Sequence, residues 1–505
     1  MKKRLISLAI SIGLVSATAA GDWPTWGGDG NRNMVSDAKD IPAKFNPGKW
    51  DDDKEDFTTE GRENIKWVFK LGSQSYGNPS IKDGKIYLGT NNEVPRNPAI
   101  KGDRGVMMCI DEKTGKFLWQ LTVPKMDSGK VNDWEYLGIC SSPTIDGDRV
   151  YIMTNRCEIV CMDVNGLSNG NQGFQDEEKY INSVSGEKTN VKVSNLDADI
   201  LWYFDMREKL GVFPHNATSS SPLVIGDYVY CNTSNGVDWS HKNIPSPFSP
   251  AMIALDKKTG ALKGEEFSQI SERILHGSWS TPSMGKTTKG TYTFYGAPDG
   301  WMYAFDMKPV FNKEEDLNVF KEIWRVDCNP PQYRTKDGKA IKYAKPEGPS
   351  EIIATPVFVD NKIYVPIGQD PEHGTGLGNM LCLDAETGKI LWQTDKINRS
   401  ISTPAVIGDN VFVGDFNGYI HCFDRKTGKT NWSHNTESHI WGSPLVVDGK
   451  LYLGNEDGEL FVFEASAQKK LLATIFLEAP ILGSPVVANG VLYVMTQTHL
   501  FAVKK

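Results

Sequence analysis

The sequence has no adjacent cysteine pair, no Cys-x-x-Cys, no Cys-x-x-Cys-His and no His-Glu-x-x-His. These absences exclude the usual zinc ribbons, a covalently attached c-type haem and the zincin metalloproteases. No phosphate-binding loop, nucleophile elbow or Ser-His-Asp order stands in a fitting context. Beyond Lys2, Lys3 and Arg4 there is no basic run, and the net charge is −8. Such a surface repels nucleic-acid phosphates and anionic lipid, so neither is expected as a partner. No segment is apolar for the roughly 20 residues a membrane helix needs.

At the N-terminus, a basic head precedes an apolar run from Leu5 to Val15 and the small-residue triplet Ala17-Thr18-Ala19. This is the pattern of a cleaved secretory signal, assigned to residues 1–20. The first cysteine is Cys109, so no lipid-acceptor thiol stands at the cleavage site. The expectation is a periplasmic or secreted protein that is not a lipoprotein, with an extension over 21–64 packed on one large unit over 65–505.

That unit is repetitive. Residues 403–432 read TPAVIGDNVFVGDFNGYIHCFDRKTGKTNW: a Thr-Pro step, an alternating strand, a turn, two more strands, an Asp-x-x-Thr-Gly turn and a strand ending in Trp. The small-residue-plus-Pro step occurs at Asn78, Ser142, Ser221, Thr281, Thr355, Thr403, Ser443 and Ser484. The end of the third strand recurs at Asp111, Asp163, Asp256, Asp306, Asp384, Asp424, Glu464 and Lys504. Both series count eight. Four antiparallel strands in about 40–50 residues make a propeller blade. The chain is therefore expected to be all-β, an eight-bladed β-propeller. Its last copy has only three strands, and Trp67 has no blade before it. Residues 65–71 are expected to complete the last blade and so remove the free sheet edges.

Half of the cysteines belong to this pattern. Cys109, Cys161, Cys382 and Cys422 each sit two residues before the blade Asp, where other blades have Ala254, Ala304, Val462 and Ala502. The position calls for a small apolar side chain, a role free Cys fills. Cys157 and Cys161 on one strand would be too far apart to join. Cys140 and Cys157, in neighbouring strands, could form a disulfide.

Strand alternation puts the second-to-third-strand turns and the blade-to-blade links on one face. The long segments fall there: 90–105, 233–250 and 368–379 among the turns, and the links before the second, third, fourth and fifth blades. Repeat proteins place insertions where they bind. The opposite face has expansions at 165–199 and 307–322, expected to be solvated loops. Crowded toward the axis on the elaborated face are Asp133, Trp134, His215, Asn216, His276, Trp279, Arg399 and Trp441, with Asp370, Glu372 and His373 leaning in from the fifth blade. Aromatic and polar groups converging on a concave site suit a small polar or planar ligand, and Arg399 would suit an anion. No catalytic or metal-ligating set can be assigned from the sequence. The acidic run 51–56 lacks the glycine and spacing of a calcium loop.

The Asp-x-x-Thr-Gly-x-x-x-Trp turns resemble the tryptophan-docking motif of PQQ-repeat propellers, the superfamily of quinoprotein alcohol dehydrogenases and BamB-like assembly factors. WPTWGGDG at 23–30 is similar to the N-terminal Trp-x-x-Tyr-Gly-Gly of that group. The resemblance implies an exported propeller that binds a small ligand or protein partner through its elaborated face without chemistry of its own. The alternative it implies is a PQQ- and Ca²⁺-dependent oxidoreductase with an atypical axial site, with Asp370 as base. Specific motifs for PQQ and Ca²⁺ are absent, and the sequence is silent on oligomeric state.

Overall fold

Each copy of the repeat folds as a four-stranded antiparallel meander. The sixth is representative, with strands A to D at Ala405–Ile407, Asn410–Gly414, Tyr419–Asp424 and Thr430–Asn435. The computed structural model describes residues 21–183, 190–341, 348–369 and 377–505. Eight such blades form a closed ring. In the last, strands A to C are Val486–Ala488, Val491–Met495 and His499–Val503, and strand D is Ile65–Lys70 from the other end of the chain. Phe501 pairs with Val68 and Ala502 with Trp67. The expected closure is the one observed.

Every blade carries a bulge at one place in the C–D ladder. The register shifts after Cys109, Cys161, Ala254, Ala304, Cys382, Cys422, Val462 and Ala502. In six blades the residue opposite is the blade tryptophan, as in Cys422↔Trp432 and Ala502↔Trp67. That indole leans across to the next blade, so the facing position holds only a small side chain. All eight cysteines are free thiols. The proposed Cys140–Cys157 bridge is therefore not formed. Cys157 also lies in the B–C turn, at φ +60°, ahead of strand Glu158–Asp163.

The indole N–H groups bond the following blade. Trp392 Nε1 donates to Arg425 O at 2.9 Å, Trp432 to Ser466 O at 3.0 Å and Trp67 to Glu112 O at 3.1 Å. Each of the Asp-x-x-Thr-Gly turns ends in a glycine under a neighbouring ring. A Cβ on Gly428, where φ is +70°, would lie 2.5 Å from the Trp392 indole. The third blade has Gly264 in place of the tryptophan, and Pro309 fills its space. Here the expansion 307–322 departs from expectation. Val310–Asn312 and Leu317–Val319 form a hairpin that extends the third sheet, with Phe320 buried against Tyr230 and Phe305. Described parts of the 165–199 expansion are likewise packed. Its helix Glu177–Asn182 buries Tyr180 and Ile181, and Tyr180 donates to Glu158 Oε2 at 2.7 Å.

Residues 21–36 cross the end of the ring opposite the elaborated face and bond the inner strands in turn. Trp23 bridges Ile81, Pro24 O accepts from Ile145 N, Gly30 O from Met284 N and Asn31 O from Phe358 N. Asn33 exchanges two bonds with Val406, and Val35 pairs with Val446. Arg32 is fully buried at the centre, donating to Thr25 Oγ1, Trp26 O, Pro222 O and Pro282 O. Burial among neutral acceptors lowers its pKa to about 9. The axis is thus plugged at one end. Among the described residues no helix is long and apolar enough to cross a membrane.

Candidate functional site

The chain enters each inner strand in extended form, so residues two apart point the same way. That alternation builds the axial well in two tiers. The lower tier is the eight step residues from Asn78 to Ser484. They bond around the axis, backbone N–H of one blade to side-chain oxygen of the next: Asn78 to Ser142 at 2.9 Å, Ser221 to Thr281 at 3.0 Å, Thr355 to Thr403 at 3.1 Å, Ser443 to Ser484 at 2.7 Å. Ser484 N to Asn78 Oδ1 carries the series from the last blade back to the first. Each hydroxyl that accepts such a bond keeps its own proton to donate. Trp26 rises from the plug as the floor, its Nε1 donating to Thr355 Oγ1 at 2.9 Å.

The upper tier is the residue two before each step: Tyr76, Cys140, Ser219, Trp279, Ile353, Ile401, Trp441 and Leu482. With Trp134, Leu137, Asn216 and Ala217 they enclose about 380 Å³ above Trp26. None of the described residues lining this well is charged. Burial pushes the Cys140 thiol up to about 12, so it stays protonated. The indoles are held by their polar edges. Trp279 Nε1 donates to Ala217 O at 3.0 Å and Trp441 Nε1 to Glu456 Oε2 at 3.3 Å. A second depression, about 590 Å³, lies on the plugged side, and Trp23 is the only aromatic among the described residues lining it.

Trp134, Asn216, Trp279 and Trp441 therefore line the well, while other expected residues stand behind its wall. Asp133 is buried, its carboxylate bonded by Lys125, Met126 N and Asn155 Nδ2, so it braces the loop from within. Arg399 is buried with its guanidinium 4.4 Å from the Phe416 ring centroid. His215 and His276 are buried beside Trp279. Asp370, Glu372 and His373 lie outside the described residues. Sequence reasoning missed Trp26 and the upper-tier residues Tyr76, Cys140, Ser219, Ile353, Ile401 and Leu482. The signal was available, since all but Trp26 sit two residues before a step already counted. It also missed His241, inside the long third-blade turn.

An eight-bladed ring with indole-to-glycine docking and a plugged axis defines a PQQ-type β-propeller. The family model described as outer membrane protein assembly factor BamB matches residues 64–209, 321–465 and 416–503, and the chain belongs to that family. BamB from Moraxella catarrhalis is similar in structure, with a TM-score of 0.53 and 14% identity over 87% of this chain and 97% of that one. The quinohemoprotein alcohol dehydrogenase ADHIIG from Pseudomonas putida HK5 is similar with a TM-score of 0.55 and 12% identity, over 96% of this chain and 80% of that one. At these identities the likeness is one of fold. No curated protein matches the chain in sequence.

Proposed function

We propose that this chain is an exported, non-catalytic binding propeller whose axial well takes a small neutral polar molecule with an apolar ring face, sugars being the best-fitting class. The observation that carries this is the two-tier lining: hydroxyls below, aromatic and aliphatic side chains above, and no charge among the described residues between them. Ring faces stack on Trp279, Trp441 and Tyr76, while the Ser and Thr hydroxyls satisfy the ligand's polar edge. Export is supported by the leader pattern of residues 1–20.

The quinone alternative does not fit this well. PQQ is a tricarboxylate and its Ca²⁺ takes anionic oxygen ligands, yet no described lining residue is a cation or a carboxylate. Asp370, the base that reading required, lies outside the described residues.

Calorimetric titration against paired neutral and anionic panels (a sugar and its uronic acid, a nucleoside and its monophosphate) tests the reading. Neutral members should bind, and Trp279→Ala or Trp441→Ala should each weaken them by at least about tenfold, the loss of one stacked ring. Binding confined to the anions, or unchanged in both variants, contradicts it.

One observation favours a second reading, a protein partner. Phe248 is 89% exposed and Trp239 55% exposed in the third-blade turn, and Trp239 stacks on Trp134 at the mouth. The matching family model is named for an assembly factor, which supports a protein partner. Phe248→Ser should then abolish capture of a partner while leaving small-molecule binding intact.

A further inference from the structure

Three histidines from three separate segments meet behind Trp279. His215 comes from the link entering the third blade, His241 from that blade's long B–C turn, and His276 from the link entering the fourth. Their ring centroids lie 4.4 Å (His215–His276), 5.0 Å (His215–His241) and 5.0 Å (His241–His276) apart. One nitrogen from each falls within 4.8 Å of the others. Nothing in the repeat demands this. The corresponding positions of other blades are not histidine, and the three come together through the long turn and links of the third and fourth blades.

The backbone holds two of them firmly. Gly236 pairs with Gly277, and Val237 N donates to His276 O at 3.0 Å. A Cβ on Gly236 would lie 2.5 Å from the His215 Cβ, and one on Gly277 would strike the Trp279 indole at 2.7 Å. The two glycines permit the approach that sets the imidazoles side by side. His215 Nδ1 lies 2.7 Å from Val237 O. A carbonyl only accepts, so Nδ1 carries the proton and Nε2 carries the lone pair. Such a carbonyl partner is what fixes the tautomer of a metal-ligating histidine. Glu351, fully buried, has Oε1 3.8 Å from His276 Nδ1 and accepts Gly277 N at 3.1 Å through Oε2. Its carboxyl group thus stands directly beside the His276 ring.

We infer that His215, His241 and His276 form a three-nitrogen site for a divalent transition cation, zinc or copper. Imidazole donors suit these ions, whereas Ca²⁺ and Mg²⁺ prefer oxygen. Nitrogens around a tetrahedral zinc stand about 3.3 Å apart, given bonds of about 2.0–2.1 Å. Closing from the present spacing takes small rotations about the side-chain bonds, chiefly of His241, the least buried of the three. These three described ligands leave room in a tetrahedral sphere for one further donor, at a place beside the well but separate from its lining. The site stands whether or not the well binds a sugar.

The test uses the mature chain, stripped with chelator and titrated with Zn²⁺, Cu²⁺, Co²⁺ and Ca²⁺ by calorimetry and visible absorption. One equivalent of Zn²⁺ or Cu²⁺ should bind, Ca²⁺ should not, and Co²⁺ should give the intense visible bands of a four-coordinate site. The thermal midpoint should rise with Zn²⁺, as expected for an ion that binds only the folded state. His241→Ala, the variant least disturbing to the core, should weaken binding by at least about tenfold. His434→Ala, on the outer strand of the sixth blade, should change nothing. Failure of the wild-type chain to take up either ion, or one-equivalent binding that survives in His241→Ala and in a His241→Ala/His276→Gln double variant, overturns the assignment.

Discussion

Glu266 shows how one side chain in this fold resists its environment. It follows the outer strand of the third blade and is buried, accepting Ala251 N at 2.9 Å and Ser268 N at 2.8 Å. Burial raises its pKa to about 7, and the nearby Asp299 adds to the shift. Between the unfolded value near 4.5 and about 7, the folded chain holds a proton that the unfolded chain has lost. This contribution to stability therefore falls as pH rises through that window, by about 3 kcal/mol in all. Glu266→Gln should remove the slope: the difference in denaturation free energy between wild type and variant should shrink or change sign from pH 4.5 to 7.5. A difference independent of pH would contradict the burial argument. At this scale the sequence was partly legible. The small-residue role of Cys109, Cys161, Cys382 and Cys422 could be read because four copies repeat it. The bracing role of Asp133 could not, since its partners Lys125 and Asn155 are neighbours only in the folded loop. His241 was hidden for the same reason, in a long turn whose sequence no other blade repeats.

Between elements, the decisive contact is an indole lying on a glycine of the next blade. Gly428→Ala combines two costs: a left-handed backbone at φ +70° and a methyl 2.5 Å from the Trp392 ring. Gly449 has the same φ, +70°, with nothing within 4 Å of its would-be Cβ. Gly449→Ala should cost about 1–2 kcal/mol, the backbone term alone. Gly428→Ala should cost about 1–3 kcal/mol more, the price of overpacking. Equal midpoints in urea for the two variants would show that the docking does not hold the blades together. The repeat made this level readable, because the Asp-x-x-Thr-Gly spacing and the tryptophans eight residues on are local signals. Where the pattern lapses, the reading failed. The third blade lacks its tryptophan, and a hairpin from 310 to 319 takes over the packing. Its polar sequence read as loop because only Phe320 is buried deeply.

For the whole molecule, ring closure and plugging define what the face can do. Closure by residues 65–70 was legible because the last copy was one strand short. The plug was not, because its bonds run from backbone and side chains to one blade after another and leave no periodic trace. Arg32→Met leaves four acceptors without their donor and should destabilise the chain by about 3–5 kcal/mol, read by chemical denaturation. A loss below about 1 kcal/mol would mean that the segment rests on the ring without securing it. The axis is a blind well, floored by Trp26 and entered from the loop-rich face alone. A crystal structure of the chain with the tightest ligand from the neutral panel tests it most directly. That ligand should be stacked between Trp279 and Trp441, its polar edge on the Ser and Thr hydroxyls above Trp26. Ligand density on the plugged side, on the outer blades, or threading an open channel past residue 26 would contradict it.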